Sequence, residues 1–445
     1  MKDFTLAEIA KACNGEYVGD ESLKNTKITS VERDSRQIKN GSLFLAIKGE
    51  RVDGHDFIEK CFAQGAVCAL CEKAPKNATK PCIVVPSTLD AVKKIGRAYR
   101  EKFDIPVIGI SGSVGKTSTK EMLYAVLSQR FKTHKTQGNL NNELGVPLTL
   151  LSMPEDTEAA VIEMGISNFG EMTRLSEMVQ PTICVLTIIG ECHLENLGDR
   201  DGVLKAKTEM FKNARENADF ILNGDDDKLS TVKTVNGKKP VFFGLDAKND
   251  FYAKNIKNSG DGKVLATLCF DNNNIDVEIP AIGTYMVTNA LAAAAAGKLL
   301  GLTDEEIANG VASYKTVGSR ANVINTGKIK IIDDCYNANP TSVRASLDTL
   351  SNLDGRKVAI LGDMKELGSE ELKLHFDTGV YAKSKGIGTV ITVGELAKEL
   401  AKGADGKAFD TIEDAKPEIL KTIKSGDVAL VKASHSMQFE NIVEV

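Results

Sequence analysis

The stretch GISGSVGKTST, residues 109–119, decides the fold of this chain. It follows an apolar, strand-like segment that starts at Pro106, and it leads into an amphipathic segment with helical spacing of apolar residues. Glycines in such a loop let several backbone N–H groups point at one anion, and the following helix adds the positive end of its dipole. The predicted nucleotide phosphate site consists of Gly112, Ser113, Val114, Gly115, Lys116, Thr117 and Ser118.

The loop departs from the general pattern G-x-x-x-x-G-K-[ST], because its first glycine would fall at position 110, which is isoleucine. A structural glycine turn that happens to precede a lysine is the alternative interpretation. The flanking strand and helix stand where phosphate binding needs them, and they favour the nucleotide site. There we expect Lys116 to reach the β- and γ-phosphates and the Thr117 hydroxyl to bind Mg²⁺.

The composition excludes several classes of protein. The 445 residues are 42% hydrophobic and 26% charged, which is ordinary for a globular chain of about two to four domains. A net charge of −5 gives no reason to expect nucleic acid or an anionic membrane as a partner. No run approaches the roughly 18 apolar residues that cross a bilayer, and the N-terminus lacks a signal-peptide core. We therefore expect a cytoplasmic protein without membrane insertion.

Nine cysteines are scattered along the chain, and this odd number favours reduced thiols over a disulfide framework. Cys68 and Cys71 form a C-x-x-C pair in GAVCALCEK. A metal or redox pair is one interpretation, and a buried strand with small thiols is the other. The second is favoured because no further pair supplies the roughly four ligands of a structural metal site.

The pattern of strands and helices divides the chain into three α/β blocks, which we predict to be three domains. Residues 1–85 carry short strands and helices and would form a small domain. Residues 86–316 alternate apolar strands with helices around the glycine loop, which predicts a central P-loop ATPase domain with a mainly parallel sheet. Short antiparallel strands are expected at about 233–276. Residues 317–445 hold four apolar strands separated by helical patterns, typical of a smaller, Rossmann-like α/β domain.

Several segments resemble one known family. The shorter loop form GSVGKTS, residues 112–118, is similar to the G-T-x-G-K-[TS] loop of the Mur ligase superfamily, ATP-dependent amide ligases that include folylpolyglutamate synthase. TQGNLNNELGVPLTLL at 136–151, DDCYNANPTSVRASL at 333–347 and LGDMKELG at 361–368 resemble the family member that uses D-alanyl-D-alanine. In the first block, DSRQIKNGSLFLAIKGERVDGHDFI is similar to the family's UDP-sugar-binding domain.

The resemblance implies an ATP-dependent amide bond between UDP-N-acetylmuramoyl-tripeptide (UDP-MurNAc-tripeptide) and D-alanyl-D-alanine, made through an acyl phosphate. It implies that the first block binds the UDP end, the second ATP and Mg²⁺, and the third the dipeptide. We expect a monomer. Two other functions stay open. One is another ligase of the superfamily that adds a single amino acid, and the other is a P-loop NTPase switch that hydrolyses nucleotide to change partners.

The resemblance also implies a metal site. Thr117, Glu163 and His193 would hold Mg²⁺, and the last two follow apolar strands. The carboxyl ends of parallel strands meet at one edge of a sheet, so these side chains should approach the phosphate loop. Lys207, in GVLKAKTEMF, matches a family lysine that CO₂ converts into an anionic carbamate ligand. A plain surface lysine is the alternative for Lys207.

Further nucleotide contacts and the catalytic residues follow from the same resemblance. The nucleotide contacts outside the loop would be Asn289, Arg320, Asn337 and Asn339. The catalytic residues would be Lys116, Lys207, Arg320 and Asp334. Asn289 matches an asparagine that reads adenine, but Tyr285 and Met286 stand where the family usually has histidine and asparagine. An arginine near the phosphates would stabilise transition-state charge.

Eight residues are predicted to bind the substrates. Arginine offers a bidentate fork to a pyrophosphate, and asparagine amides hydrogen-bond phosphate or peptide groups without adding charge. The eight are Ser35, Arg36, Asp53, Gly54, His55, Asn139, Asn142 and Tyr336. A plain β-turn is the alternative for residues 53–55. In KASHSMQFE, Ala433 and His435 replace a family glycine and arginine, so this segment is assigned no dipeptide contact.

Overall fold

The computed structural model describes residues 1–259, 262–271 and 273–444. In this part of the chain, three α/β units follow one another, each built on its own sheet, and a small antiparallel sheet accompanies the second unit. Every helix in the described residues is too short or too polar to cross a membrane.

The first unit is a small sheet flanked by short helices. Its elements are α1 (Leu6–Cys13), β1 (Glu16–Val18), β2 (Ser30–Glu32), β3 (Ser42–Leu45), α2 (Ile58–Gln64), β4 (Cys68–Cys71), β5 (Cys82–Val84) and α3 (Thr88–Arg100). The strand order is β1-β5-β4-β3-β2; β1 is antiparallel to β5 and the other pairs are parallel. Helix α3 joins this unit to the next, since Tyr99 Oη donates to the Met153 carbonyl at 2.9 Å and Arg100 Nε to the Val179 carbonyl at 2.9 Å.

The second unit is a fully parallel sheet in the order β11-β10-β9-β6-β8-β7. Its strands are β6 (Val107–Ser111), β7 (Thr133–Lys135), β8 (Ala159–Glu163), β9 (Ile183–Leu186), β10 (Asp219–Asn223) and β11 (Val241–Phe243). Its helices are α4 (Lys116–Leu127), α5 (Gly145–Leu151), α6 (Glu171–Val179), α7 (Leu194–Leu197) and α8 (Arg200–Thr208). The strand order reverses at β6, and ligands of open α/β sheets bind beyond the strand ends at such a reversal.

A three-stranded antiparallel sheet and two helices complete the second unit. They are β12 (Tyr252–Asn258), β13 (Val264–Phe270), β14 (Asn273–Ile279), α9 (Tyr285–Leu299) and α10 (Asp304–Ala312). The alanine run 292–296 in α9 is fully buried against α4, so small side chains allow the two helices to approach closely. Thr303 caps α10 through a capping box with Glu306.

The two faces of the parallel sheet bury different cores. Along β8, Ala160 and Ile162 point into the core shared with the first unit, whereas Val161 points into the core shared with α9, α10 and the antiparallel sheet. This alternation has the period of two that a strand imposes. The sheet is therefore held on both faces, and its strand ends stay rigid at the edge where the glycine loop emerges.

The third unit has the strand order β15-β16-β20-β17-β18-β19, with β15 antiparallel at the edge. Its strands are β15 (Asn322–Asn325), β16 (Lys330–Asp333), β17 (Lys357–Gly362), β18 (Thr389–Val393), β19 (Lys407–Phe409) and β20 (Val428–Lys432). Its helices are α11 (Pro340–Ser351), α12 (Glu371–Ser384), α13 (Ala397–Ala404), α14 (Ile412–Thr422) and α15 (Glu440–Val443).

These units confirm the predicted α/β class with a small first part, a central parallel sheet and a Rossmann-like third part. One local prediction is wrong: Val241–Phe243 is a parallel edge strand of the central sheet rather than part of an antiparallel group. The edge strands β15 and β19 were not predicted, because they are short and their residues are exposed or half-buried. The C-x-x-C pair lies in the buried strand β4, and all nine cysteines, each within the described residues, are free.

Candidate functional site

The glycine loop connects β6 to α4, and its shape depends on two glycines. Gly115 precedes the first helical residue with φ +82°, a left-handed conformation that side chains disfavour. Gly112 lies against the next strand end, where a Cβ atom would be 1.9 Å from Thr187 Oγ1. Ser113 N donates to the Ile188 carbonyl at 2.7 Å, and Gly190 N donates to Ser113 Oγ at 2.9 Å. The loop is therefore fastened to the segment that follows β9.

Lys116 and Thr117 begin α4 and face the end of β8. Lys116 Nζ donates to the Gly112 carbonyl at 2.8 Å, so the ammonium group lies over the loop itself. Thr117 Oγ1 donates to Glu163 Oε2 at 2.9 Å, and Asn141 Nδ2 donates to Glu163 Oε1 at 2.8 Å. Glu163, 1% exposed at the last position of β8, thus stands directly beside the phosphate loop.

Two lysines, one buried and one half-buried, balance the carboxylates behind this loop. Lys120 Nζ lies 3.1 Å from Glu121 Oε1 and 3.7 Å from Glu163 Oε2, and Lys135 pairs with Glu121 from β7. A buried charge without a partner is costly, so these pairs stabilise the two carboxylates in the interior. Glu163 also borders the open space at the loop.

His193 and Lys207 lie in the segment after β9. His193 precedes α7 with φ +52°, and its Nδ1 lies 2.6 Å from Glu366 Oε2 of the third unit. This contact with the imidazole lowers the pKa of the Glu366 carboxyl. Lys207, in α8, is 1% exposed, and burial lowers the pKa of its ammonium group to about 8; the positive charge of Lys116 acts in the same direction.

Asn289 lies on α9 where that helix crosses α4. Its Oδ1 accepts from Thr119 Oγ1 at 2.9 Å, and its Nδ2 lies 3.4 Å from Met286 Sδ. Tyr285 lies one turn before it, and burial raises the pKa of this phenol. Both side chains border the open space above the phosphate loop.

The third unit contributes an aromatic stack to the opposite wall. The guanidinium carbon of Arg320 lies 3.6 Å from the ring centroid of Tyr336, and this ring stacks on His435 at 5.5 Å between centroids. A guanidinium over an aromatic face is an attractive, orienting contact. The stack therefore fixes the direction in which the Arg320 side chain leaves the wall.

Asp334 anchors the loop that carries this stack. Its carboxylate accepts from Ala321 N at 3.1 Å, Ser346 Oγ at 2.7 Å and Lys432 Nζ at 2.6 Å. Lys432 is 3% exposed and also donates to the Asn337 carbonyl at 2.9 Å. Further along this loop, Asn339 caps α11 by accepting from Ser342 N at 2.8 Å. Together these bonds hold residues 334–339 in one shape.

A cavity of about 820 Å³ lies between the loop and this wall. The predicted residues that line it are residues 113–118, Asn142, Glu163, His193, Asn289, Arg320, Asp334, Tyr336, Asn337 and Asn339. Asn142 also begins α5 by accepting from Gly145 N at 2.8 Å. Gly112, Asn139 and Lys207 lie next to the lining rather than in it. The structure thus brings most of the predicted residues of the second and third units to one space.

The predicted residues of the first unit lie elsewhere, at one edge of its sheet. Ser35 and Arg36 follow β2, and residues 53–55 come after the adjacent parallel strand β3. Arg36 is exposed and pairs with Asp34, with Nη2 2.7 Å from Oδ2. Asp53 Oδ1 accepts from the His55 ring at 2.6 Å, and His55 Nε2 accepts from Glu72 N at 2.8 Å.

Four residues of the site were not predicted. Asn141, rather than its neighbours, contacts Glu163, and the signal was the cluster of three asparagines in four residues. Lys120, Lys432 and Glu366 act through partners that are distant in the sequence. No sequence spacing marks such pairs, because the contact exists only after folding.

Comparison with known proteins identifies related sequences along almost the whole chain. The family description "Mur ligase middle domain" matches residues 110–297, "Mur ligase, glutamate ligase domain" matches 319–435, and "Mur ligase family, catalytic domain" matches 27–102. The UDP-N-acetylmuramoyl-tripeptide--D-alanyl-D-alanine ligase of Bacillus subtilis is 36% identical over 99% of this chain and 97% of that protein.

Solved structures of related proteins share this fold over almost the whole chain. A crystal structure of MurF from Acinetobacter baumannii, 32% identical, covers 100% of this chain and 98% of its own with a TM-score of 0.92, and a second crystal structure of that protein aligns with a TM-score of 0.85. MurF ligase from Thermotoga maritima in complex with ADP is 30% identical, with a TM-score of 0.84 over 93% of this chain and 96% of its own.

Proposed function

The chain belongs to the Mur ligase family, and from this membership we infer that it is an ATP-dependent ligase that joins D-alanyl-D-alanine to UDP-MurNAc-tripeptide. The observation that carries the inference is one cavity of about 820 Å³ that holds the phosphate loop, Glu163 and the Arg320–Tyr336 wall together. The product is the UDP-linked pentapeptide used in peptidoglycan synthesis.

The reaction has two steps. The terminal carboxylate of the tripeptide attacks the γ-phosphorus of ATP, so that a carboxyl O–P bond forms and ADP leaves. The dipeptide amine then attacks the carbonyl carbon of this acyl phosphate. A C–N bond forms, the C–O bond to phosphate breaks, and the amine proton is released. Phosphorylation is needed because carboxylate oxygen is a poor leaving group and phosphate is a good one.

The phosphate loop has to overcome repulsion between two anions. At about 4 Å, carboxylate and phosphate repel each other by several kcal/mol in a partly shielded site. Backbone N–H groups of residues 114–118, the start of α4 and the Lys116 ammonium group supply positive potential at this point. These groups are fixed before the substrate arrives, so little reorganisation is required during the reaction.

Thr117, Glu163 and His193 are the residues that would hold Mg²⁺. They line one cavity, and the donor set of hydroxyl, carboxylate and imidazole leaves positions for phosphate and water oxygens, as Mg²⁺ sites in such enzymes do. Among the described residues, no three His, Cys, Asp or Glu side chains form a metal site by themselves. The ion would neutralise charge on the phosphates.

Lys207 is the residue that would carry a carbamate. Only a neutral amine attacks CO₂, and the reaction yields a carbamate anion and releases a proton. Burial keeps the pKa of this amine near 8, which raises its neutral fraction at physiological pH above that of an ordinary lysine. The resulting anion would be a further metal ligand in addition to Thr117, Glu163 and His193, and the nearby Lys116 supplies opposite charge.

The remaining predicted residues are assigned by their position. Asn289 and Tyr285 border the space for the adenine end, and Arg320, Asn337 and Asn339 approach the phosphates from the third unit. Asp334 sets the shape of their loop. The substrate contacts are proposed to be Asn139, Asn142 and Tyr336 near the peptide, with Ser35, Arg36, Asp53, Gly54 and His55 at the UDP end.

We also propose three domains, 1–85 for UDP-sugar, 86–316 for ATP and Mg²⁺, and 317–445 for D-alanyl-D-alanine, in a cytoplasmic monomer. Catalytic groups from two domains imply that the third domain rotates towards the second when nucleotide binds.

Phosphate release tests the function. We expect ADP and phosphate to form only with ATP, UDP-MurNAc-tripeptide and D-alanyl-D-alanine together, and the product mass to equal the UDP-pentapeptide. Tripeptides with L-lysine and with meso-diaminopimelate at the third position are compared. Product with a single amino acid in place of the dipeptide would indicate another ligase of the family. Phosphate release independent of any amine would indicate a nucleotide switch.

A further inference from the structure

A second cavity, of about 320 Å³, lies beside the phosphate loop. One wall consists of residues 188–191 with Arg200, and the other is the face of α11 that carries Thr341, Arg344 and Asp348. We propose that this cavity is the subsite for D-alanyl-D-alanine and that Arg344 binds the dipeptide carboxylate. This subsite rests on the proposed function, in which D-alanyl-D-alanine is the acceptor of the tripeptide.

The position of the cavity suits an acceptor. It shares Ile188, Thr341 and Ala345 with the larger cavity, so the two spaces adjoin. The Ile188 carbonyl accepts from Ser113 N at 2.7 Å, and Gly190 N donates to Ser113 Oγ at 2.9 Å. One wall of the second cavity is therefore the segment 188–191, which is hydrogen-bonded to the phosphate loop. An amine that enters along this wall arrives where the acyl phosphate forms.

Most charged groups around the cavity already have partners. Arg200 Nε donates to the Ile189 carbonyl at 2.8 Å, and its guanidinium pairs with Asp227. Asp348 accepts from Tyr381 Oη at 2.8 Å and pairs with Lys385 at 2.7 Å. Arg200 and Asp348 are therefore paired within the protein. Arg344 and Glu191 are the other two charged residues that line the cavity.

At least one N–H donor of the Arg344 guanidinium group is not used within the described part of the chain. Its Nε is buried and has no hydrogen-bond partner among the residues that the structure describes, and its guanidinium carbon lies 5.8 Å from the Tyr381 ring centroid. A buried N–H without an acceptor is unfavourable, so this group favours a ligand that brings an anionic oxygen. Across the cavity, Glu191 accepts from Thr341 Oγ1 at 2.5 Å through Oε2. Its other oxygen remains for a positive or N–H group.

The cationic Arg344 and the anionic Glu191 suit a small zwitterion such as a dipeptide, which carries one carboxylate and one ammonium group. Thr341 and Arg344 are three residues apart on α11, roughly 4.5 Å along its axis. Thr341 borders both cavities, whereas Arg344 and Glu191 border the second. A dipeptide with its carboxylate on Arg344 therefore points its amine at the phosphate loop. Ile188, Ile189 and Ala345 supply apolar contacts for its two methyl groups.

The variant Arg344→Gln tests the subsite. Steady-state phosphate release and product mass are measured while D-alanyl-D-alanine, ATP and UDP-MurNAc-tripeptide are varied in turn. We expect the KM for the dipeptide to rise about tenfold or more, the usual effect of losing a charge-assisted hydrogen bond, with the other two KM values unchanged. The matched control Arg356→Gln changes an arginine that pairs with Asp427 away from both cavities and should behave as the parent.

D-alanyl-D-alanine amide, which lacks the carboxylate, makes the test specific. The parent should use the amide much less well than the dipeptide, and Arg344→Gln should use both about equally. Arg344→Lys, which keeps the charge without the fork, should lie between them. An unchanged dipeptide KM in Arg344→Gln, or the same penalty for the amide in both proteins, would overturn the subsite. If the parent itself forms no pentapeptide, the proposed function fails instead.

Discussion

Glu163 links three side chains around the phosphate loop and is also a proposed metal ligand. Its two oxygens accept from Thr117 and Asn141, which are neutral donors, while Lys120 lies 3.7 Å away and balances its charge. These three partners hold the buried carboxylate at the end of β8, where the proposed metal would need an anion.

Lys116→Ala removes the ammonium group that lies over the phosphate loop. We expect phosphate release with all three substrates to fall roughly 10²–10³-fold, the usual effect of losing one group that stabilises developing charge. The control Lys132→Ala changes an exposed lysine that pairs with Asp156 outside the cavity. Pentapeptide formation at the parental rate by Lys116→Ala would refute the role of the loop.

Lys207 should take up labelled CO₂. With ¹³C-bicarbonate at about pH 8, we expect a carbamate carbon signal in the NMR spectrum of the parent, because burial keeps part of this amine neutral. The signal should be absent in Lys207→Arg. Lys205→Arg, two residues away on the exposed side of α8, should retain it. A parental spectrum without the signal would leave Lys207 as a plain buried lysine.

At the scale of elements, α12 is fastened to the end of β17 by one histidine. His375 Nε2 accepts from Met364 N at 2.9 Å, and its Nδ1 lies 2.6 Å from the Glu371 carbonyl, to which it donates. The bond at Nε2 requires this nitrogen to be unprotonated, and burial lowers the pKa of His375. His134, in β7, is half-buried, and the loss of contact with water lowers its pKa as well.

The free energy of unfolding should therefore decrease as the pH falls from 7 towards 5.5. The unfolded chain binds these protons near pH 6.5, the usual pKa of histidine, whereas the folded protein binds them only at lower pH. The unfolded state holds more protons in this window, so acid favours unfolding. Urea titrations at several pH values measure the effect. His375→Gln should flatten the dependence, and an equal slope in both proteins would contradict the assignment.

Helix α10 approaches α4 closely because residue 310 is glycine. A Cβ atom there would lie 2.4 Å from Val126 Cα, which is backbone and cannot turn aside. Gly310→Ala should destabilise the protein by about 1–3 kcal/mol through overpacking, measured by urea unfolding. The control Gly388→Ala meets nothing within 4 Å, and we expect a change within about 0.5 kcal/mol. Equal stability of both variants would disprove the close approach.

At the scale of the whole molecule, the second and third units touch at two places beside the cavity. Thr341 of α11 donates to Glu191, and Gly190 allows this approach because a Cβ atom would lie 2.4 Å from Thr341 Oγ1. Glu366 meets His193, and Gly368 packs on the backbone of the same loop. His193 and Glu366 both have positive φ, a strained conformation that such contacts must stabilise. These loops would move together if the third unit rotates.

The proposed rotation has a solution signature. With a non-hydrolysable ATP analogue and UDP-MurNAc-tripeptide, the radius of gyration from small-angle X-ray scattering should decrease, because closure brings the third unit onto the ligands. The tripeptide alone serves as the control and should produce a smaller change. Superimposable profiles in all conditions would exclude closure.

The three α/β units and the phosphate loop could be predicted from the sequence. Both signals are local: strand and helix periodicity lies within a few residues, and the segment 112–118 holds its glycines, Lys116 and Thr117 together. The resemblance added Glu163, His193 and the 334–339 loop, which the structure brings to one cavity. Their chemical roles stay predictions.

Which side chains meet depends on the folded chain. Asn141 rather than Asn139 contacts Glu163, and Lys432 pairs with Asp334, 98 residues away in the sequence. Arg344 lies in the segment 333–347, but its place beside a second cavity could not be read from that segment. The edge strand β11 likewise took its parallel direction from β10. Periodicity records which face of an element is buried, but not which element covers it. Such contacts depend on loop paths and packing, and these arise only when the whole chain has folded.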